Sequence, residues 1–163
     1  MKKIISFLAI LVLVISLPAC SSPAPQEKVF SKSGLEITLT TDFTETSMAG
    51  YTFCYESSHV VIVALKEEFS LLEQSLDMTL NEYTELLRKA NTSHSPSAVS
   101  TQNGIPCFEY TWFNETENKT FRYYTTAFKG SDAFWMVQFV CADSAYATQK
   151  DNFLTWAQSI TVN

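Results

Sequence analysis

The side chains that could perform acid–base or nucleophilic chemistry are few in this chain. Its two histidines, His59 and His94, both fall in predicted turns. His59 could act as a base toward the Cys54 thiol, but their spacing fits no nucleophile elbow. We favour a turn histidine near a buried strand cysteine. Phosphate-binding, dinucleotide-binding and HExxH patterns do not occur. We therefore expect a protein that is not an enzyme and has no cofactor.

Metal ligands are present but lack the spacing of a metal site. Carboxylates gather between Lys66 and Asp77, at Glu67, Glu68 and Glu73. Their spacing does not follow the oxygen-ligand pattern of a calcium loop, so we favour a solvated acidic loop. The cysteines form no CxxC pair, which argues against zinc and thioredoxin-type sites. We expect no bound metal.

Arg122 lies in an aromatic stretch and is the strongest candidate for contacting a ligand. If Gly130-Ser131 is a two-residue hairpin loop, Arg122 shares a strand face with Tyr124 and Trp135, because side chains alternate along a strand. A guanidinium among aromatic rings can form a structural cation–π contact. We favour this interpretation, since a meander face covered by a helix is usually core. The alternative is a planar, positive donor for an anionic small molecule.

The turn before the Arg122 strand determines whether another aromatic ring lies across from Arg122. If residues 114–118 turn with Phe113 opposite Lys119, Tyr110 lies directly across from Arg122. The candidate binding residues are then Arg122, Tyr110, Tyr124 and Trp135.

Three consecutive strands would position these residues. Aromatic and β-branched side chains predict strands at Ile105–Phe113, Lys119–Lys129 and Asp132–Cys141. Neither face of these strands is polar enough to lie in water, so both faces must be covered. An apolar run at 60–65 predicts a further central strand.

Two helices are predicted to cover the sheet. Thr79 and Glu82 have the spacing of a capping box, and an apolar stripe follows as far as Asn91. A second helix should follow Cys141 and be capped by Asp143 or Ser144. The segment 66–78 fits either a helical turn or a loop. The fold class is therefore α+β, an antiparallel β-sheet flanked by helices on both faces.

The first twenty residues have the pattern of an export signal. Lys2 and Lys3 precede an apolar run at 4–17, shorter than the roughly twenty residues that span a bilayer. Leu17-Pro18-Ala19-Cys20 resembles the lipobox of bacterial lipoproteins, which implies a lipid on the Cys20 sulfur and cleavage just before it. The alternative is an ordinary signal peptide cleaved after Ala19. We expect a lipoprotein signal peptide at 1–19, a lipidated tether at 20–28 and a single domain at 29–163.

Charge restricts the partners of the exported chain. Without Lys2 and Lys3, nine basic and seventeen acidic residues remain, a net charge of −8. This excludes a nucleic-acid partner, because phosphate contacts need clustered lysine and arginine. An acidic domain is also repelled by anionic lipid, so only its anchor would hold it at the outer face of the cytoplasmic membrane.

Three cysteines remain after Cys20, and each lies in a hydrophobic strand. They are Cys54, Cys107 and Cys141. An odd number cannot form a complete disulfide framework. We expect three buried thiols, with one disulfide as the alternative in an exported protein.

Four segments resemble those of small lipoproteins from anaerobic Gram-positive bacteria, a group similar in layout to the PsbP-like fold. The resemblance covers nearly all of the chain after the signal, and it implies an antiparallel sheet between helices. It implies no site, because none of the interaction residues of that fold matches a motif here. The segments are Val29-Phe30-Ser31-x-x-Gly34-Leu35-x-Ile37, Leu80-x-x-Tyr83, Ala133-Phe134-Trp135-x-x-Gln138-Phe139 and Phe153-x-x-Trp156-Ala157-x-Ser159-Ile160.

These observations together predict a membrane-anchored, extracytoplasmic, non-catalytic binding or accessory module. Its partner would be a protein or another envelope component. The alternative is a lipoprotein that binds a small molecule, and a hydrolase is the least favoured class because no reaction-specific set of residues can be assembled.

Overall fold

The computed structural model describes residues 26–72 and 77–163. The predicted signal peptide, the lipidation site Cys20 and Glu73 of the acidic segment lie outside the described residues. The domain boundaries and the anchor therefore remain predictions.

Ten strands and two α-helices occupy the described stretches, together with three short 3₁₀ turns. The strands are β1 (Glu27–Lys32), β2 (Leu35–Thr40), β3 (Thr44–Thr46), β4 (Phe53–Glu56), β5 (Val60–Glu68), β6 (Ser100–Gln102), β7 (Ile105–Asn114), β8 (Lys119–Lys129), β9 (Ala133–Ala142) and β10 (Thr161–Val162). The helices are α1 (Leu80–Ala90) and α2 (Tyr146–Gln158), and the 3₁₀ turns are Phe69–Leu71, Thr92–His94 and Asp143–Ala145.

A seven-stranded antiparallel sheet in the order β3-β4-β5-β9-β8-β7-β6 forms the centre of the domain. One face, which we call the α2 face, packs on α2 and on a three-stranded sheet in the order β1-β2-β10. The opposite face, the α1 face, packs on α1. The predicted α+β class with helices on both faces is confirmed, and the small sheet adds to the cover of the α2 face.

The larger core lies on the α2 face. Ile62, Val137 and Phe139 project from the central strands and are fully buried. They meet Phe153 of α2 and Ile37 of β2. This face is closed because two separate elements cover it, a helix and a second sheet.

Helix α1 begins where the sequence predicts. The Glu82 backbone N–H donates to Thr79 Oγ1 at 3.3 Å, and the Thr79 N–H donates to Glu82 Oε2 at 2.8 Å. This is a complete capping box. Tyr83, one turn into the helix, stacks on Phe134 with ring centroids 4.4 Å apart, and its hydroxyl donates to the Glu67 carboxylate. The cap and this stack therefore fix α1 on the first residues of β9.

The β8–β9 connection, residues 130–132, contains three residues and not the predicted two, and the strand pairing is shifted by two residues. Lys129 pairs with Phe134, and the Gly130 N–H donates to the Ala133 carbonyl at 2.9 Å. The predicted faces are nevertheless correct, because a shift of two residues preserves the alternation of side chains. Arg122 and Tyr124 share the α2 face with Trp135.

The predicted register between β7 and β8 was wrong by one residue. Asn114, and not Phe113, pairs with Lys119, so Tyr110 lies across from Tyr123 and not from Arg122. The Asn114 side-chain oxygen accepts the backbone N–H groups of Thr116 and Glu117 at 3.0 and 3.2 Å, which holds the turn one residue further along. A shift of one residue moves Tyr110 to the α1 face.

Three cysteines of the domain are free and buried. Cys54, Cys107 and Cys141 are each at most 2% exposed, as the sequence predicts. Burial, and secondarily the nearby Asp143 carboxylate, raises the pKa of Cys141 to about 11. That thiol therefore stays protonated and unreactive at neutral pH.

Thiol counting tests this arrangement together with lipidation. We expect the mature protein to yield three maleimide-reactive thiols after denaturation without reductant and almost none while folded, read by mass shift. A lipidated Cys20 is a thioether and cannot react. A fourth reactive thiol would contradict lipidation, whereas fewer than three would reveal a disulfide.

Candidate functional site

Arg122 lies in an ion-pair network on the α2 face. Its Nε donates to Asp143 Oδ1 at 2.7 Å, and its Nη1 donates to Glu109 Oε2 at 3.4 Å. Lys150 donates to the other oxygen of Glu109, also at 3.4 Å. The guanidinium carbon lies 4.8 Å from the centre of the Tyr146 ring. The network joins β7 and β8 to the first residues of α2.

The charges in this network balance. Two carboxylates, Glu109 and Asp143, meet two cations, Arg122 and Lys150. The hydrogen bond that Arg122 donates to the Asp143 carboxylate raises the pKa of Arg122 further, so its charge is permanent. Asp143 does not cap α2 as predicted, because its side chain bonds Arg122 and a 3₁₀ turn leads into the helix. The geometry therefore favours the structural interpretation of Arg122 over a site for an anion.

The four candidate binding residues do not converge. Tyr124 and Trp135 share the α2 face with Arg122 but are at most 1% exposed in the core. Tyr110 lies on the other face, where its ring stacks on Tyr123 at 4.6 Å. The binding role of these residues remains a prediction, and the structure does not unite them in one site.

Substitution of Arg122 tests the structural interpretation. Arg122→Met should lower the free energy of unfolding by about 2 kcal/mol, because two charge-assisted hydrogen bonds and a cation–π contact are lost. Urea denaturation followed by circular dichroism would measure the change.

Arg88→Met is the matched control. The Arg88 side chain is similarly exposed, 26% against 31% for Arg122, but among the described residues it pairs only with Glu85 of α1. Loss of this pair should lower the free energy of unfolding by about 0.5 kcal/mol or less. Equal denaturation midpoints for the two variants would show that the Arg122 network does not hold α2 to the sheet.

The α1 face offers a different kind of surface. Helix α1 packs on Phe134 and Ala127, at one end of the β8–β9 pair. The other end is uncovered and forms a groove of about 240 Å³ between the β7–β8 hairpin and the loop at 47–52. We call this the α1-face groove. Its lining residues are Met48, Tyr51, Val61, Val63, Trp112, Asn114, Glu117, Phe121, Tyr123, Gln138 and Val140.

Aromatic side chains form the wall of the groove. Trp112 is 41% exposed and Tyr123 half-buried. The Tyr123 ring lies parallel to that of Tyr110, which in turn stacks on His94 with ring centroids 5.4 Å apart. This ladder of rings holds Tyr123 in place beside the opening. The wall therefore combines a Tyr123 ring fixed by stacking with an exposed Trp112 ring.

A single amide lies in the floor of the groove. Gln138 is 4% exposed, and its Nε2 donates to the Tyr110 hydroxyl at 3.1 Å and to Thr125 Oγ1 at 3.2 Å. Its Oε1 accepts no hydrogen bond from the described residues. Burial raises the pKa of Tyr110 to about 12, so its hydroxyl remains a neutral partner of the amide. The groove thus contains one oriented acceptor in an otherwise apolar floor.

The groove's rim is acidic. Glu117 is the one charged lining residue, and Asn114 Nδ2 donates to its Oε1 at 3.2 Å. Glu56 pairs with Val61 and so points to the same face. Neither carboxylate forms an ion pair within residues 26–72 and 77–163. The rim therefore has uncompensated negative charge.

Cys54 and His59 lie apart and do not form a nucleophile pair, in line with the interpretation that the sequence favours. Cys54 is buried on the α1 face, across from Val63, whereas His59 is exposed and lines a hollow of about 400 Å³ beside Asp42 and Trp156. No three His, Cys, Asp or Glu side chains in the part of the chain that the structure describes are grouped to hold a metal ion.

Every helix in the described stretches is too short or too polar to span a bilayer.

The sheet order and the helices on both faces define a PsbP-like α+β protein. The fold is similar to cyanobacterial PsbP (CyanoP) from Synechocystis sp. PCC 6803, with a TM-score of 0.57, 10% identity, and coverage of 88% of this chain and 96% of that one. It is also similar to the Saccharomyces cerevisiae Ran-binding protein Mog1p, with a TM-score of 0.54, 10% identity, and coverage of 85% and 96%. At such identities the likeness shows the fold alone. The chain matches no family model and no curated protein.

Proposed function

We propose that this chain is a lipoprotein held by Cys20 at the outer face of the cytoplasmic membrane, and that its domain is a non-catalytic module that binds a protein. The observation that carries the proposal is the α1-face groove, an aromatic surface left open on a sheet that is otherwise covered. Exposed apolar surface of this kind marks interaction sites in folded proteins. A protein of the same fold, Mog1p, binds the protein Ran.

The chemistry of the groove supports binding and offers no reaction. Its lining contains one carboxylate, Glu117, and two amides, Asn114 and Gln138, with no histidine, cysteine or lysine beside them. The other titratable side chains of the lining are Tyr51 and Tyr123. Among the described residues Glu117 is hydrogen-bonded to Asn114 and to neither tyrosine, so no acid–base pair is assembled. An accessory or adaptor role agrees with this lining.

A small-molecule ligand is the second candidate, and the Gln138 amide favours it. Aromatic walls with one oriented polar group are typical of ligand pockets. The groove holds about 240 Å³ and opens along one side, whereas pockets that enclose drug-sized ligands have roughly 300–1,000 Å³. A small molecule would stay largely in water, so we place a protein partner first.

Anchoring is tested by removing the acceptor of the lipid. Cys20→Ala should move the protein from the membrane fraction to the medium and abolish incorporation of labelled palmitate. Ser22→Ala, two residues away, should change neither. Membrane retention of Cys20→Ala without label would show that the chain is held in another way.

Protein binding is tested by crosslinking in the native envelope. A lysine-reactive crosslinker applied to intact cells should give a reproducible adduct with one partner protein, identified by mass spectrometry. Exposed lysines around the domain, such as Lys28, Lys89 and Lys129, make this assay independent of the groove. Recovery of nothing beyond abundant neighbouring lipoproteins would contradict the proposal.

A further inference from the structure

The occupant of the α1-face groove can be inferred from its size, its polar floor and its charge. The inference rests on the proposed protein-binding function and specifies which part of a partner the groove receives.

The size of the groove fits one large side chain. A volume of about 240 Å³ lies between Trp112 and Tyr123 on one wall and Tyr51 and Met48 on the other. Met48, 45% exposed, and Trp112, 41% exposed, leave apolar surface open to solvent on both walls. At protein interfaces most of the affinity comes from a few bulky anchors inserted in such desolvated sites.

The floor of the groove selects an anchor with a hydrogen-bond donor nearby. Gln138 Oε1 is an unused acceptor. The two hydrogen bonds that Nε2 of the same amide donates, to Tyr110 and Thr125, hold it in place. An apolar anchor that left this oxygen dry and unpaired would incur a desolvation penalty that weakens binding. A peptide N–H or an indole N–H of the partner removes that penalty.

The rim selects positive charge. Glu117 lines the groove, and Glu56 lies on the same face across from the lining residue Val61; neither forms an ion pair in the described part of the chain. The nearest cation on this face along the hairpin is Lys119, which pairs with Asn114 but does not line the groove. A second copy of this chain would bring the same acidic rim, and an anionic lipid surface would be repelled.

We propose that the α1-face groove receives a segment of a partner protein that inserts one bulky apolar side chain beside a lysine or arginine. The apolar side chain packs between Trp112 and Tyr51, a nearby N–H of the segment donates to Gln138, and the cation pairs with Glu117. The bulky side chain supplies affinity, and the charge pair supplies orientation and selectivity.

Photocrosslinking from two adjacent positions tests the inference in the full, membrane-anchored chain. A benzoylphenylalanine probe replaces either Trp112 or Phe113 in separate strains. Phe113 is a matched control, because it is 50% exposed but points to the opposite face of the same strand. We expect a partner adduct from position 112, at least about tenfold stronger than from 113. Its crosslinked peptide should contain an aromatic or long aliphatic residue next to lysine or arginine.

Binding variants give an independent readout. Trp112→Ala should reduce recovery of the lysine-crosslinked partner about tenfold or more, since a central anchor contact is lost. Phe113→Ala should leave recovery unchanged. Glu117→Lys should reduce it at low salt and less so at high salt, because the charge effect is screened. Thermal denaturation of each variant shows that the fold is retained.

The outcomes separate the inference from the proposed function. If lysine crosslinking captures a partner but Trp112→Ala and Glu117→Lys leave its recovery intact, the groove is not the site and the inference fails alone. A position-112 adduct with lipid, or with a second copy of this chain, also overturns it. If no partner is captured by either method, both the inference and the proposed function fail.

Discussion

Both broad faces of the central sheet are apolar, and this constraint determines the rest of the architecture. Val60, Ile62 and Ala64 of β5 project to the α2 face, while Val61 and Val63 project to the α1 face. Apolar area left in water costs about 25 cal/mol per Å² relative to burial, so two separate covers are needed. The α2 face receives a helix and a small sheet, and the Arg122 network fixes the start of that helix. Among the described residues, the α1 face receives one short helix, with Phe69, Leu72 and Met78 packed beside it.

The difference between the two covers produces the groove. Helix α1 has 11 residues and is about 16 Å long, whereas β8, also of 11 residues, is about 36 Å long. A helix of that length leaves part of the face open wherever it docks. Its capping box and the Tyr83–Phe134 stack place it at the end of the sheet where β9 begins. The open part is therefore the other end, where Trp112 and Tyr123 lie.

Local patterns predicted the elements well. The placement of Tyr110 was wrong because it depended on the register between β7 and β8. The Thr79–Glu82 spacing located α1, and the alternation along β8 and β9 placed Arg122, Tyr124 and Trp135 on one face, although their connecting loop is longer than expected. The turn at 114–118 depends on two side-chain hydrogen bonds of Asn114, which spacing alone does not reveal. The groove was missed because it depends on where α1 docks. The short helix beside long strands was the available indication in the sequence.

Charge explains why the proposed binding surface lies on the α1 face although the arginine lies on the other. On the α2 face every charge around Arg122 has an opposite partner, and breaking those pairs to admit an anion would detach the start of α2. On the α1 face no such network exists around the groove among the described residues, and the Glu117 carboxylate is free to meet a cation. An acidic domain also attracts basic partners over about a Debye length before contact. The aromatic wall then determines which of the attracted segments stays, because apolar packing depends on shape whereas long-range attraction does not.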